Sequence, residues 1–271
     1  MRPELKKLIE ILEGLESAVL AYSGGVDSTL LLKGIKLAGI KALAVTGTSE
    51  SMPREDLKDA VKMVKEIGVP HLIIKTRELE NRNYAANPPD RCFHCKDELF
   101  SLIRDIAVKE HYKNILDGST IDDFKDWRPG LAAGKAHGVR SPLAEAGLGK
   151  KDVRELSKEL GLATWDKPSS PCLSSRVPYG MPVTEEKLRR IAEAESFLKD
   201  LGLKEFRVRD HEEVARIEAR AEDQGKILKY KKEIAGRLRG LGYKFVCLDL
   251  EGFRSGSLNR LLSERDKKQK D

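Results

Sequence analysis

The chain has 271 residues, of which 40% are hydrophobic and 35% charged, with a formal net charge of +6 and an isoelectric point of about 9.0. This composition supports real hydrophobic cores and excludes a membrane-spanning chain, because no apolar run approaches the roughly 20 residues of a transmembrane helix. Four cysteines are too few and too unevenly spaced for a secreted disulfide framework. The amphipathic start, MRPELKKLIE, is unlike a signal peptide, so we expect a cytoplasmic protein.

Short apolar segments typical of buried strands alternate with helical periodicities in the first part of the chain. The strand segments are 18–22, 42–46, 72–74 and 115–117, and the helices between them span 27–39, 53–67 and 93–111. This alternation predicts an α/β fold with a parallel, doubly wound sheet and right-handed crossovers. Binding sites in such sheets lie at the carboxyl ends of the strands, so we expect the functional residues there.

The pattern changes near residue 183. It continues with a helix over 184–201, strands at 204–210 and 214–219, a helix over 222–240 and a strand at 245–250. This order predicts a small C-terminal α+β domain whose sheet has one exposed face. We therefore assign residues 1–180 to the α/β domain, 181–262 to a small domain for substrate binding or oligomerisation, and 263–271 to a disordered tail.

The first strand ends in a glycine-rich loop, SGGVDS at residues 23–28, which opens the first helix. The glycines allow a tight turn and a close backbone approach to a ligand. The helix N-terminus offers free N–H groups and a positive dipole to an anion. The hydroxyls of Ser23 and Ser28 add donors, and Asp27 can orient the loop or hold Mg²⁺. The lysine of a Walker loop is missing, so this is another kind of phosphate site.

The loop resembles the SGGxDS pyrophosphate loop of the PP-loop ATP pyrophosphatases, whose fold is adenine nucleotide α-hydrolase-like. Members of that family cleave ATP between the α- and β-phosphates and attach AMP to a carboxylate or carbonyl oxygen. The resemblance covers most of residues 15–170 and implies ATP and Mg²⁺, with Ser23 and Asp27 catalytic and the metal on Asp27. The residues expected to contact ATP are Ser23, Gly24, Gly25, Asp27, Ser28, Val45, Gly118 and Thr120.

Three cysteines fall near predicted strand ends. Cys92 and Cys95 form a C-x-x-C turn at a helix start, where thiolates are favoured, and Cys172 lies in the loop SSPCLSSR. The residues alone leave a structural zinc site, an iron–sulfur cluster and a redox dithiol open. Zinc usually takes a fourth protein ligand, which His94 is poorly placed to supply, whereas three cysteines would leave one iron of a 4Fe–4S cluster open. Cys247 lies in an apolar strand, and we expect it in the core.

Further motifs extend the resemblance over essentially the whole chain. They are DGSTIDD at 117–123, DWRPG at 126–130, PCLSSR at 171–176, RVRDH at 207–211, ARIE at 215–218 and DLEGFRSGSLN at 249–259. Together they resemble the LarE family, ATP-dependent sulfur transferases that help to build the nickel-pincer nucleotide. The terminal motif is far more specific than the phosphate loop.

The LarE resemblance implies that ATP adenylates a carboxylate of pyridinium-3,5-biscarboxylic acid mononucleotide, and that a sulfur nucleophile then displaces AMP to leave a thiocarboxylate. In one LarE type, the cysteine that matches Cys172 gives up its own sulfur and becomes dehydroalanine. In the other type, cysteines that match Cys92, Cys95 and Cys172 hold a 4Fe–4S cluster that carries the donated sulfide. This sequence has all three, which favours the cluster type with Cys172 as a catalytic residue. The resemblance also implies a homo-oligomer, hexamers being described for the family.

Cationic side chains alternate along the first strand of the small domain. Arg207, Arg209 and His211 share one face, and Arg216 lies on the next strand. The pattern alone also fits a solvated outer sheet face. Because the guanidinium fork suits phosphate, the resemblance implies that these four side chains hold the phosphate of the substrate.

Two other functions stay open. A tRNA thiolase also combines a pyrophosphate loop with three cysteines and can use the basic charge. Against it, no RNA-binding module is appended and aromatic residues make up only 6%, so we expect neither a nucleic acid nor a membrane partner. The second alternative is a non-catalytic nucleotide-binding protein with structural zinc.

Overall fold

The structure is a computed structural model that describes residues 2–125, 128–254 and 256–262. The chain forms two compact units: the first contains the residues up to Glu78 and Asp90–Ser170, and the second contains Leu79–Pro89 and the residues from Pro171 onwards. The predicted domain limits at residues 180 and 181 stay a prediction. The predicted tail, 263–271, lies outside the described residues.

The helices in chain order are α1 (Pro3–Glu13), α2 (Val26–Ala38), α3 (Arg54–Ile67), α4 (Arg82–Ala85), α5 (Arg91–Lys109), α6 (Pro129–Ala136), α7 (Pro142–Glu145), α8 (Lys150–Glu159), α9 (Glu185–Asp200), α10 (Ala221–Lys229) and α11 (Lys231–Gly240). The strands are β1 (Ser17–Ala21), β2 (Lys41–Thr48), β3 (His71–Lys75), β4 (Asn114–Leu116), β5 (Phe206–His211), β6 (Val214–Ala219) and β7 (Phe245–Leu248). Among the described helices, none is both long and apolar enough to cross a bilayer.

The first unit is built on a parallel sheet with the strand order β3-β2-β1-β4, which confirms the predicted α/β fold. Every residue of β1 is buried because helices cover both faces of the sheet. Ala18 and Leu20 pack into a core with α1 and α2, whereas Val19 and Ala21 pack with Phe100 of α5. The strand therefore reads as a continuous apolar run, and its carboxyl end leads directly into the glycine-rich loop.

The second unit contains the three-stranded sheet β5-β6-β7, in which β5 pairs antiparallel and β7 parallel with β6. Its core joins α9 and α11 to the sheet through side chains such as Leu198, Val208, Ile217 and Leu238. The single helix predicted over 222–240 is instead two helices, α10 and α11, separated at Tyr230. A break of one residue leaves little trace in the hydrophobic periodicity, so the sequence pattern misses it.

The face of this sheet that carries the arginines is not exposed, contrary to the prediction. Arg209 is 6% exposed and Glu218 is fully buried. The segment after β7 lies over them, since Ser257 binds both side chains and Asp249 pairs with Arg216. This covering segment is distant in sequence from β5, and strand alternation alone does not reveal it.

The expectation that Cys247 lies in the core is wrong, because its side chain is exposed. β7 is an edge strand, and only Val246 and Leu248 of its apolar run pack against the core of the second unit. Cys247 lies on the opposite face, beside Arg216 of β6.

Candidate functional site

Close packing around the phosphate loop requires glycine at two positions, one within the loop and one after β4. Gly24 has φ of +73°, and a Cβ atom there would lie 2.7 Å from the Cβ of Ala60 in α3. Gly118, after β4, packs so closely on the start of α2 that a Cβ atom would lie 2.9 Å from the amide nitrogen of Ser28. The loop is therefore wedged between α3 and the end of β4.

Hydroxyl groups fix the loop from within. The Oγ atoms of Ser23 and Ser28 lie 3.1 Å apart, and the amide of Gly25 donates to Ser23 Oγ over 3.3 Å. The first amides of α2 have no carbonyl acceptor one turn earlier in the helix. Together with the exposed Ser23 side chain, they offer several donors to an anion.

A lysine that the sequence analysis missed enters this loop. The Nζ atom of Lys150 lies 2.6 Å from Asp27 Oδ2 and 2.9 Å from Asp123 Oδ2. Lys150 is the first residue of α8, and the helix dipole disfavours a cation there. That unfavourable position is the signal in the sequence that could have identified it.

Asp123 is the buried partner of this lysine. Burial alone would raise the pKa of its carboxyl group, but hydrogen bonds from Thr120 and Lys150 and the charges of Arg128 and Lys150 lower that pKa below its usual range. Thr120 donates to Asp123 Oδ2 through both its amide, at 2.8 Å, and its hydroxyl, at 3.0 Å. Thr120, predicted to bind ATP, thus supports the carboxylate that holds Lys150.

Val45, also predicted to contact ATP, has a fully buried side chain in the core beneath α5. Only its backbone is suited to a ligand contact, and its carbonyl oxygen already accepts from the amide of Tyr22. The next residue, Thr46, donates to the carbonyl of Tyr22 and lies 2.9 Å from His71 Nε2. Burial lowers the pKa of His71, which favours a neutral imidazole that donates to Thr46.

The three cysteines predicted to act together belong to different units. Cys92 and Cys95 are the second and fifth residues of α5 in the first unit, whereas Cys172 precedes a 3₁₀ turn, Leu173–Arg176, in the second. None of the three is in a disulfide; Cys92 is exposed and the other two are partly exposed. Within the described residues of either unit, no three His, Cys, Asp or Glu side chains are gathered closely enough to hold a metal ion.

The backbone around Cys172 is held by Arg176. One guanidinium nitrogen donates to the carbonyl oxygens of Pro171, at 2.6 Å, and Cys172, at 3.1 Å. The other two nitrogens form a bidentate pair with Glu195 at 3.0 and 2.8 Å. Arg176 is buried, and the paired carboxylate offsets the cost of burying its charge.

The cationic residues of β5 and β6 form a network with buried carboxylates. Arg209 donates to Glu218 at 2.6 Å, to Ser257 at 2.8 Å and to the carbonyl of Ser175 at 2.7 Å. Arg216 pairs with Glu218 at 3.2 Å and with Asp249 at 2.8 Å. The predicted Arg209 and Arg216 are thus brought together, and the backbone beside Cys172 joins them.

Two further predicted residues lie in the same network. Burial, followed by the nearby charges of Arg176 and Arg209, lowers the pKa of Arg207 to about 10. Its guanidinium stacks 5.0 Å from the ring of Phe253. Burial and the charge of Arg216 also lower the pKa of His211, whose buried Nε2 has no hydrogen-bond partner in the described part of the chain. Such crowding of positive groups is relieved by an anion.

No protein-family model matches the chain. An uncharacterised protein of Synechocystis sp. is 42% identical over 267 residues, which cover 97% of this chain and 100% of the relative. The pyridinium-3,5-bisthiocarboxylic acid mononucleotide synthase of Lactiplantibacillus plantarum is 37% identical, covering 95% of this chain and 94% of that enzyme. A tRNA-specific 2-thiouridylase of Beijerinckia indica is 28% identical over 58% of this chain and 45% of its own length. Because these identities extend over nearly its whole length, the chain is an enzyme that belongs to the LarE family, the family of the pyridinium-3,5-bisthiocarboxylic acid mononucleotide synthase.

Proposed function

We propose that this enzyme uses ATP to convert a carboxylate of pyridinium-3,5-biscarboxylic acid mononucleotide into a thiocarboxylate, with release of AMP and pyrophosphate. The observation that carries the proposal is the phosphate loop, in which glycines, hydroxyls and helix amides converge on one exposed edge of the sheet. Family membership supplies the substrate class, because the relative from L. plantarum is named for the bisthiocarboxylic acid mononucleotide.

The first step activates the carboxylate, which is otherwise a poor electrophile. A carboxylate oxygen attacks the α-phosphorus of ATP, the bond to the β-phosphate oxygen breaks, and pyrophosphate leaves. The amides of α2 and the hydroxyls of Ser23 and Ser28 would bind the departing phosphates. Lys150, close to Asp27, is suited to stabilise their negative charge.

Magnesium fits the donor chemistry of the loop, since the Asp27 carboxylate is 29% exposed and already attracts a cation. Asp27 would hold the ion, which neutralises phosphate charge when it is bound.

The second step replaces oxygen by sulfur. A hydrosulfide-level sulfur attacks the acyl carbon, the bond from that carbon to the AMP oxygen breaks, AMP leaves, and one proton is released. The oxidation state of carbon does not change, so the step needs no oxidant. Arg176 would hold the backbone of Cys172 during this attack, through the carbonyl contacts described above.

The sulfur source is proposed to be a 4Fe–4S cluster on Cys92, Cys95 and Cys172. The donor set has the right chemistry: three cysteines outside any disulfide, of which two lie at a helix N-terminus that favours thiolates. When bound, the cluster would supply an iron with an open position for sulfide. In the alternative, Cys172 itself gives up its sulfur.

The substrate phosphate is proposed to bind at the arginine network of the second unit. Arg207 is the strongest candidate, because burial, together with the charges of Arg176 and Arg209, lowers the pKa of its guanidinium to about 10. A phosphate near Arg207 would offset the positive charges of the neighbouring arginines. We also expect the enzyme to be a homo-oligomer, which sedimentation analysis would measure.

The decisive experiment incubates anaerobic protein with ATP, Mg²⁺, sulfide and the synthetic mononucleotide. We expect AMP and pyrophosphate by chromatography, and a product in which mass spectrometry finds one carboxylate oxygen replaced by sulfur. Asp27→Asn should abolish both, whereas Cys247→Ser, a matched thiol control, should retain both. Formation of ADP and phosphate, or thiolated tRNA with unchanged mononucleotide in the same assay, would contradict the proposal.

A separate measurement tests the cluster. Iron, acid-labile sulfide and zinc are quantified in anaerobic wild-type protein and in Cys172→Ser and Cys247→Ser. We expect iron and sulfide in the wild type and in Cys247→Ser, and their loss in Cys172→Ser. Zinc without iron would contradict the cluster, and dehydroalanine at position 172 after turnover would favour the sacrificial route.

A further inference from the structure

The segment Leu79–Pro89, which precedes the C-x-x-C turn, belongs to the second unit. Tyr84, in α4, is 1% exposed, and its hydroxyl lies 2.6 Å from the Oγ atom of Ser174. Ser174 is itself fully buried and stands two residues after Cys172. A buried hydroxyl pair of this kind fixes the two segments to each other, because breaking it leaves polar groups without water.

Asn87 makes a second connection between the same segments. Its side chain is fully buried and its Nδ2 donates to the carbonyl oxygens of Val177, Pro178 and Met181, at 3.2, 2.7 and 3.0 Å. Its own carbonyl accepts from the amide of Gly180 at 2.9 Å. Asn87 has φ of +57°, in the left-handed region that asparagine tolerates better than most residues. The turn at 177–181 is therefore wrapped around one buried amide.

These contacts, which we call the Tyr84/Asn87 clasp, hold the residues that follow Cys172, whereas Arg176 holds Cys172 and the residue before it. Arg176 binds the carbonyl groups of Pro171 and Cys172, and the clasp binds Ser174 and the residues that follow. Neither Tyr84 nor Asn87 is adjacent to the phosphate loop in sequence, and both lie in the second unit. Asn87 precedes Cys92 by five residues, so the clasp stands next in the chain to the C-x-x-C turn as well.

From this geometry we propose that Tyr84 and Asn87 are positioning residues for sulfur transfer, which they serve by holding Cys172 in place. The inference rests on the proposed function. An acyl adenylate that meets no sulfur is open to hydrolysis, so the second step depends on how accurately the thiol loop is held. A displacement of about 1 Å in a reacting group can cost about 100-fold in rate.

The test compares Tyr84→Phe, which removes a single oxygen atom, with Tyr112→Phe, which removes the same atom from a tyrosine of the first unit. AMP and thiocarboxylate are measured in the same anaerobic reactions. We expect Tyr84→Phe to keep AMP formation within about threefold while thiocarboxylate formation falls by at least about tenfold, towards the 100-fold limit. Tyr112→Phe should leave the ratio of thiocarboxylate to AMP at the wild-type value.

Alkylation of Cys172 provides a readout that does not depend on turnover. Iodoacetamide labelling of Cys172 in full-length protein without the cluster, followed by peptide mass spectrometry, is referred to the exposed Cys247 of the same molecule. We expect the relative rate to rise at least about threefold in Tyr84→Phe, because a hydrogen bond that opposes local opening is lost. Ser174→Ala removes the same bond with little change in volume, so it should raise the relative rate in the same direction.

The outcomes separate the two ideas. Wild-type protein that forms no thiocarboxylate contradicts the proposed function. The positioning role alone is overturned if the wild type forms thiocarboxylate and Tyr84→Phe has an unchanged ratio of thiocarboxylate to AMP. It is also overturned if Tyr84→Phe loses AMP and thiocarboxylate in parallel. If Tyr84→Phe does not fold, the same measurements on Ser174→Ala decide the matter.

Discussion

The ammonium group of Lys150 lies 2.6 Å from the carboxylate of Asp27, so the acidic residue of the phosphate loop is paired with a cation from the start of α8. The same ammonium contacts the buried Asp123, which lets one lysine connect the loop to the segment after β4. This arrangement places a positive charge beside the loop, at the point where phosphates are expected.

Replacing Lys150 by alanine should reduce kcat/KM for ATP cleavage about 10- to 150-fold, because a lost charge-assisted hydrogen bond costs about 1.5–3 kcal/mol. The matched control is Lys151→Ala, whose side chain is 88% exposed and pairs only loosely with Glu155. AMP release measured by chromatography distinguishes the two. Equal rates for the two variants would remove Lys150 from the site.

Gly24→Ala should destabilise the enzyme more than Gly39→Ala. Both glycines have positive φ, +73° and +69°, but only Gly24 has a neighbour within 4 Å of an added Cβ atom. The left-handed backbone costs about 1–2 kcal/mol for alanine at either position. Contact with Ala60 should add at least about 1 kcal/mol to the cost at Gly24.

Urea denaturation of the two glycine variants measures the difference, and ATP cleavage should be lost only in Gly24→Ala. If the two variants lose the same free energy of unfolding, then α3 shifts at Ala60 to accommodate the added methyl group. The close contact between Ala60 and the loop would then contribute nothing to stability.

Arg207→Gln should weaken binding of the mononucleotide about 10- to 150-fold, since a charged contact to phosphate is lost. Binding of the dephosphorylated nucleoside should change little, because it lacks the group that Arg207 is proposed to meet. Calorimetry with both ligands checks this. A parallel loss for the two ligands would place the phosphate elsewhere.

Arg209→Ala, the obvious companion variant, is a poor probe of binding. It leaves the buried Glu218 with one fewer cation and removes a contact to the Ser175 carbonyl. Breaking a buried pair on one side costs about 3–5 kcal/mol, so its main effect should be on the stability of the second unit.

The free energy of unfolding should fall as the pH is lowered from about 7.5 to about 5.5. Burial lowers the pKa of His71 in the folded protein, so below the unfolded value of about 6.5 the unfolded chain binds a proton that the folded protein does not. Above a pH of about 6.5 neither state binds this proton, so His71 no longer makes the free energy of unfolding depend on pH. Urea unfolding at both pH values should give a smaller difference for His71→Asn than for the wild type or for His111→Asn, a change at an exposed histidine. An unchanged difference in His71→Asn would assign the dependence to other groups.

Features that depend on local pattern could be predicted from the sequence. The sheet strands, the glycine-rich loop and the helix start at the C-x-x-C turn each occupy a few consecutive residues with distinctive composition. The fold class is confirmed for that reason. The edge position of Cys247 and the burial of Arg209 could not be predicted, because both depend on what packs over a strand.

Residues that act over long sequence distances also escaped prediction. Lys150 is separated from Asp27 by 123 residues, and Asn87 from Pro178 by 91. Nothing in the composition around Lys150 or Asn87 identifies its partner. The roles proposed for the cysteines and the arginine network stay predictions until the variants are measured.

The hydrogen bond between Tyr84 and Ser174 joins residues 90 positions apart, and this separation matters during synthesis. A ribosome that adds about 5–20 residues per second exposes Tyr84 about 5–20 s before Ser174 is made. Over that interval the Tyr84 hydroxyl lacks Ser174, and the Asn87 side chain lacks the carbonyl groups of Val177, Pro178 and Met181. All four strands of the first sheet, the last of which ends at Leu116, are synthesised before Ser174. The 79–89 segment can therefore form its contacts in the second unit only after the residues of the first sheet are available.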